Sequence, residues 1–149
     1  EDAKHEGQSC AVMIADLDHF KTVNDTYGHA AGDRVLVRTA AVMRDALPKG
    51  AMIARVGGEE FLIALPDTNL ADVRNLAGHL GRLVRETPVL HDDTYTPLYA
   101  PVSTGTTLAN ASRSQRVNPD VLIDYADQAL YDSKSGARDT VTVTLRPTS

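Results

Sequence analysis

A chain of 149 residues, 42% of them hydrophobic, is long enough to fold around one core and too short to expect two. Its formal net charge of −5 offers no general attraction to a polynucleotide, so a phosphate-bearing ligand has to be held by a few placed cations or a metal, which favours a small nucleotide. The single cysteine, Cys10, excludes an internal disulfide and, lying in an apolar run, reads as a small buried hydrophobe suited to a reducing cytoplasm.

Cys10 to Ala15 is a short, continuously apolar run followed at once by Asp16, Leu17 and Asp18, the pattern of a central strand that delivers carboxylates at its end. A helical stretch from His19 to about Tyr27 stops at Gly28. Leu36, Ala40, Met43 and Leu47 then recur at helical spacing, with Val35, Val42 and Ala46 beside them, until Pro48 and Gly50 end the pattern. Ala51 to Val56 and Phe61 to Leu65 read as strands around a Gly57-Gly58-Glu59-Glu60 hairpin turn that carries two acids. Between Asn69 and Glu86 the stripe Leu70, Val73, Leu76, Ala77, Leu80 and Val84 predicts a helix capped by Asp67 or Thr68.

Proline and polar residues from Thr87 to Pro101 predict an irregular hairpin arm, followed by a strand near Val102 to Ala109. Asn118, Pro119 and Asp120 form a helix start, with a cap, a proline at the first helical position and an acid in the first turn. Val121, Leu122, Tyr125, Ala129 and Leu130 continue that helix to about Lys134 to Gly136, and Thr140 to Leu145 alternates as a last strand. Hairpins among alternating strands and helices predict an α+β domain with a mostly antiparallel central sheet flanked by helices.

Asp16 and Asp18 close a buried strand, and Glu59 and Glu60 occupy a turn whose glycines, Gly57 and Gly58, leave room for a ligand to approach the backbone. If strand and hairpin are neighbours, the acids converge. A carboxylate cluster without histidine or cysteine pairs suits a hard cation, and Mg²⁺ held by one or two carboxylates plus substrate phosphates implies phosphoryl transfer. Taken alone, the glycine-acid turn is better read as a solvated turn, and it needs other motifs beside it.

The segment Asp16 to Asp33, reading DLDHFKTVNDTYGHAAGD, resembles the signature that precedes the active-site turn of the GGDEF family, and Arg55 to Phe61, RVGGEEF, is similar to that turn in its GGEEF form. Ala126 to Lys134, ADQALYDSK, resembles the family's carboxy-terminal helix, so three motifs stand in family order. The resemblance implies a single domain over residues 1–149 with a fold like that of nucleotidyl cyclases and polymerase palms. It also implies diguanylate cyclase activity, in which a homodimer joins two GTP molecules into cyclic di-GMP.

By this resemblance Asp16, the Leu17 carbonyl and Glu59 would hold Mg²⁺ or Mn²⁺, and Glu60 would assist at the reacting centre. Asn24 and Asp33 match the guanine contacts, an amide and a carboxylate that can meet a purine's mixed donors and acceptors. Lys21, Lys134 and Arg138 match the triphosphate contacts, and His19 and Phe20 would offer backbone N–H groups to the phosphates. On local pattern alone, Asp33 would cap the following helix, Asn24 would be a turn residue, and Lys134 and Arg138 would be cations favouring a helix carboxy terminus.

The chain departs from the family pattern in three places. Pro48 and Ala51 stand where many members carry the Arg and Asp of an inhibitory product site, so cyclic di-GMP is expected not to bind tightly there, which a titration of the domain would check. Nothing before Cys10 matches the family's usual opening segment, and the abrupt polar start predicts a fragment of a longer protein with an upstream sensor. Ala137 and Asp139 replace the common glycine and asparagine around Arg138. No apolar run approaches the roughly 20 residues that cross a bilayer, which predicts a cytoplasmic domain without membrane contact, within a whole protein that is free to be anchored. Three other readings compete: a family member that only binds GTP or a protein and regulates, another Mg²⁺-dependent nucleotidyl cyclase or palm enzyme, and a structural domain that binds no nucleotide.

Overall fold

Both faces of the first strand are covered, which is why its sequence is a continuous apolar run rather than an alternating one. The computed structural model describes residues 9–88, 90–91, 97–99, 101–110, 119–135 and 141–145. In chain order its elements are β1 (Ser9–Leu17), α1 (Phe20–Tyr27), α2 (His29–Ala46), β2 (Met52–Arg55), β3 (Glu60–Thr68), α3 (Leu70–Glu86), β4 (Leu90–His91), β5 (Pro97–Leu98), β6 (Val102–Asn110), α4 (Pro119–Ser135) and β7 (Val141–Leu145).

Five strands form one sheet in the order β2-β3-β1-β6-β7, and β4 pairs with β5 in the separate arm. The pairs β2 with β3, β3 with β1 and β1 with β6 are antiparallel, whereas β6 and β7 run parallel because α4 crosses over between them. The sheet is therefore mostly antiparallel and flanked by helices, as the sequence predicts.

Period-two alternation along β1 divides the interior. Ala11, Met13, Ala15 and Leu17 bury against a large cluster that includes Val35, Leu36 and Met43 of α2 and Val73, Ala77, Leu80 and Val84 of α3. Ile14 belongs to a smaller cluster with Ala126 and Leu130 of α4, edged by Val12, Leu62 and Ile123. Tyr125, placed in the apolar stripe by spacing, is instead 36% exposed, and Ala126 takes the buried position one residue on.

Gly105 of β6 lies opposite Ile14 and lets α4 approach closely: a Cβ there would run into the backbone of Ala126 and Leu130.

Boundaries moved where tertiary pairing outweighed the local pattern. Pairing of β3 with β1 continues to Thr68, so neither Asp67 nor Thr68 caps α3; Asn69 does, its side chain accepting from the Asp72 N–H at 2.9 Å. Gly28, at φ 90°, joins α1 to α2 without a loop, and its N–H donates to the Asn24 carbonyl at 2.8 Å. As a result α2 starts at His29, ahead of its apolar stripe, and Asp33 lies inside it rather than capping it. The predicted cap Asn118 falls outside the described residues.

Candidate active site

The end of β1 is pinned from both sides. Asp16 stands in register with Glu60 on β3 and with Ser103 on β6. Beyond it, the Leu17 N–H donates to the Glu59 carbonyl at 3.3 Å, and the Asp18 N–H to the Pro101 carbonyl at 2.8 Å. Asp16 and Asp18 are both buried, 7% and 3% exposed. The convergence of strand-end and turn acids that the sequence made conditional is therefore met.

The turn is closed by the Val56 N–H donating to the Glu60 carbonyl at 3.0 Å. Arg55 braces it from below, Nε donating to the Gly57 carbonyl at 3.1 Å and Nη2 to the Gly58 carbonyl at 2.7 Å. Positive φ is not what the paired glycines supply, because among the described glycines only Gly28 and Gly50 adopt it. A Cβ at Gly58 would meet nothing within 4 Å, so what a side chain would take up is open space over exposed backbone. That is room for a ligand to reach the chain.

Electrostatically the pocket is crowded with negative charge. Burial, the Glu59 carboxyl and its hydrogen bond push the Asp16 carboxyl up to about 6, against the opposing pull of Lys134. Burial also raises Glu60, with the neighbouring Asp16 adding to the effect. Lys134 answers this charge: its Nζ stands 3.2 Å from Asp16 Oδ1 and 3.1 Å from Asp18 Oδ1. The contact to Asp16 lacks hydrogen-bond alignment, and Asp16 Oδ1 is a buried oxygen with no hydrogen-bond partner. Ser103 Oγ reaches both Asp18 oxygens, at 2.8 and 3.0 Å.

This donor set fits a hard cation. It offers carboxylate oxygens, a buried one without a hydrogen bond among them, in a place where a cationic ammonium already sits. No three His, Cys, Asp or Glu side chains among the described residues are grouped to enclose an ion, so the remaining coordination positions would fall to water and substrate phosphates.

The residues matched to guanine lie on the two helices after β1. Asn24 Oδ1 is buried without a hydrogen-bond partner, against Gly32, where a Cβ would collide with it. Asp33, the next residue, is exposed at the rim of an open cleft with Arg34, Val37, Arg38 and Ala41. His19 takes the left-handed conformation, φ 59°, and turns the chain into α1, where the Thr22 N–H donates to the His19 carbonyl at 3.0 Å and the amides before it stand at the positive end of the helix. Phe20 itself is core.

Lys21 is not gathered into the carboxylate pocket; exposed on α1, it pairs with Asp25 at 2.9 Å, which raises its pKa. Arg138 lies outside the described residues. Cys10 is half-buried, and burial pushes its thiol up, away from nucleophile behaviour.

Sequence reasoning underrated three residues. Arg55 was read only as part of a motif, and Asp18 only as a strand-end acid. Ser103 carried no local signal at all, because its partner Asp18 is 85 residues away.

The chain matches the family model described as diguanylate cyclase, GGDEF domain, over residues 1–140. This chain belongs to the GGDEF family. It is 32% identical over 136 residues to diguanylate cyclase A of Treponema denticola, covering 91% of this chain and 35% of that protein. To diguanylate cyclase DgcP of Pseudomonas aeruginosa it is 36% identical over 138 residues, covering 93% of this chain and 20% of that protein. It therefore spans well under half the length of either relative. Among solved structures it resembles diguanylate cyclase SiaD, crystallised with its activator SiaC from Pseudomonas aeruginosa, at a TM-score of 0.81 and 36% identity, covering 93% of this chain and 51% of that one.

Proposed function

We propose that this domain is a diguanylate cyclase, condensing two GTP molecules into cyclic di-GMP. The observation that carries this reading is the convergence of Asp16, Glu60 and Lys134 at the end of β1, with an Asp16 oxygen that holds no hydrogen bond among them. The 3′-hydroxyl oxygen of one GTP forms a bond to the α-phosphorus of the other, the bond to pyrophosphate breaks, and the reciprocal step closes the ring. Two domains facing each other, each holding one GTP, supply both nucleotides, so the working unit is a homodimer.

Mg²⁺, or Mn²⁺ in its place, held by Asp16, Glu59 and the Leu17 carbonyl would neutralise phosphate charge and make the hydroxyl a better nucleophile. The chain's own residues do the positioning. Arg55 fixes the turn that carries Glu59, and the amides of His19 and Phe20 at the start of α1 point positive dipoles at phosphate. Glu60, its pKa raised by burial, is suited to accept the proton lost by the hydroxyl. Asn24 presents a buried amide oxygen that needs a donor, which a guanine edge supplies, and Asp33 accepts a second bond. Lys21, Lys134 and Arg138 hold the triphosphate.

No helix among the described residues is long and apolar enough to cross a membrane. In the full protein we place this domain in the cytoplasm, downstream of a sensor.

Incubating the purified chain at high concentration with GTP and Mg²⁺, beside Glu59→Ala, and separating the products by chromatography tests the reading. Cyclic di-GMP from the parent and none from the variant is the expected result. GTP binding without product from either the chain or the full-length protein would assign it instead to regulation through nucleotide binding.

A further inference from the structure

Lys134 has two anionic neighbours, and only one of them is matched to the metal. Asp16 is a ligand under the proposed function and has an oxygen to spare. Asp18 is different: its side chain is 1% exposed, both oxygens accept from Ser103 Oγ, and Oδ1 accepts from Lys134 Nζ at 3.1 Å. An acid this deeply buried is costly unless hydrogen-bonded and paired, and here both conditions are met inside the protein.

The three residues come from three elements, the turn after β1, the strand β6 and the last turn of α4. The close seating of α4 over Gly105 brings Lys134 to this point. Its side chain stays 20% exposed, so the ammonium spans from a sealed anchor to the open pocket.

We propose that Asp18 and Ser103 are positioning residues, a buried seat that aims the Lys134 ammonium at the substrate's triphosphate while leaving Asp16 available as a metal ligand. The inference rests on the cyclase reading for the identity of the phosphate ligand. Asp18 holds the lysine stem in place at one N–H, and the ammonium keeps two more donors for phosphate oxygens. Ser103 fixes the Asp18 carboxylate so that the lysine meets an acceptor of set direction. A lysine left to itself on a helix end samples many rotamers, and immobilising it in advance removes that cost from binding.

The sign of one substitution separates aim from charge. Were Asp18 merely a nearby negative group, neutralising it would tighten the binding of an anion. As the seat of Lys134, its exchange in Asp18→Asn weakens binding by about tenfold, because a neutral amide oxygen holds the ammonium less firmly than a carboxylate does. The isosteric Ser103→Ala, which keeps every charge, weakens binding by about threefold, at the lower end of a neutral donor's worth.

The measurement is calorimetric titration of the intact chain with inorganic triphosphate and Mg²⁺, repeated in a Lys134→Ala background. There, Asp18→Asn and Ser103→Ala are expected to cost nothing further, because the residue they act through is gone. Losses that persist beside Lys134→Ala, tighter binding by Asp18→Asn, or no binding of triphosphate by the parent would each overturn the proposal. If Asp18→Asn fails to fold, as melting would show, Ser103→Ala decides the matter alone. Cyclic di-GMP formation is scored separately: the coupled pattern without product keeps the seat and removes the cyclase reading, and product with additive losses does the reverse.

Discussion

Exchanging Asp16 for asparagine will abolish cyclic di-GMP formation, by roughly 10³-fold or more, and at neutral pH will make the metal-free protein more stable. Both effects follow from one carboxyl. Asp16 is 7% exposed, its pKa is pushed up to about 6 chiefly by burial, and one of its oxygens lacks a hydrogen-bond partner. An acid with a folded-state pKa above its unfolded value binds its proton more readily when folded. Its stabilisation is fully present below the unfolded value near 4 and is lost as pH rises through about 6.

Above that window the ionised group is a burden of up to about 3 kcal/mol. Asparagine keeps the shape without the charge. Melting in chelator at pH 7.5 should therefore place Asp16→Asn several degrees above the parent, and the gap should narrow as pH falls through about 6 and close only below the unfolded value near 4. A variant that melts lower at pH 7.5, or that still turns over GTP, contradicts this account of the site. The active site thus keeps a charge that the fold alone does not favour, which is the common relation between function and stability.

Gly105→Ala is expected to cost about 3 kcal/mol and to lower the melting temperature by roughly 10 °C. A single methyl group rarely has this effect. Here it is aimed at backbone, the Ala126 carbonyl and the Leu130 N–H and Cα, none of which can rotate away. α4 would have to retreat from the sheet, loosening Ala126, Ala129 and Leu130 and carrying Lys134 off Asp16 and Asp18. Activity should fall further than stability explains at temperatures where the variant is still folded, because the lysine is displaced in the native state. Thermal melts paired with a turnover assay well below the transition check this; a melt unchanged within a degree or two would show that α4 is not seated on Gly105.

The sequence by itself determined the elements and the family. Apolar periodicity located β1, α2, α3 and α4 because burial on one face or two leaves a local, countable signature. The glycine-acid turn and the Asp16 to Asp33 segment marked a candidate nucleotide site because the residues of a motif lie close along the chain. Where local pattern competed with pairing, pairing won: β3 ran on to Thr68 and moved the α3 cap to Asn69, and Tyr125 yielded its buried place to Ala126.

Only the tertiary structure told the two acids apart. Asp16 and Asp18 look alike in sequence, two residues apart on the same strand end. Ser103, in register with Asp16, gives its hydroxyl to Asp18 instead, and the close packing of α4 over Gly105 brings Lys134 into a hydrogen bond with Asp18, while the Asp16 oxygen beside the same ammonium holds no hydrogen bond. Contacts across 85 and 116 residues leave no local trace, because what joins them is the order of strands in the sheet and the height of a helix above it.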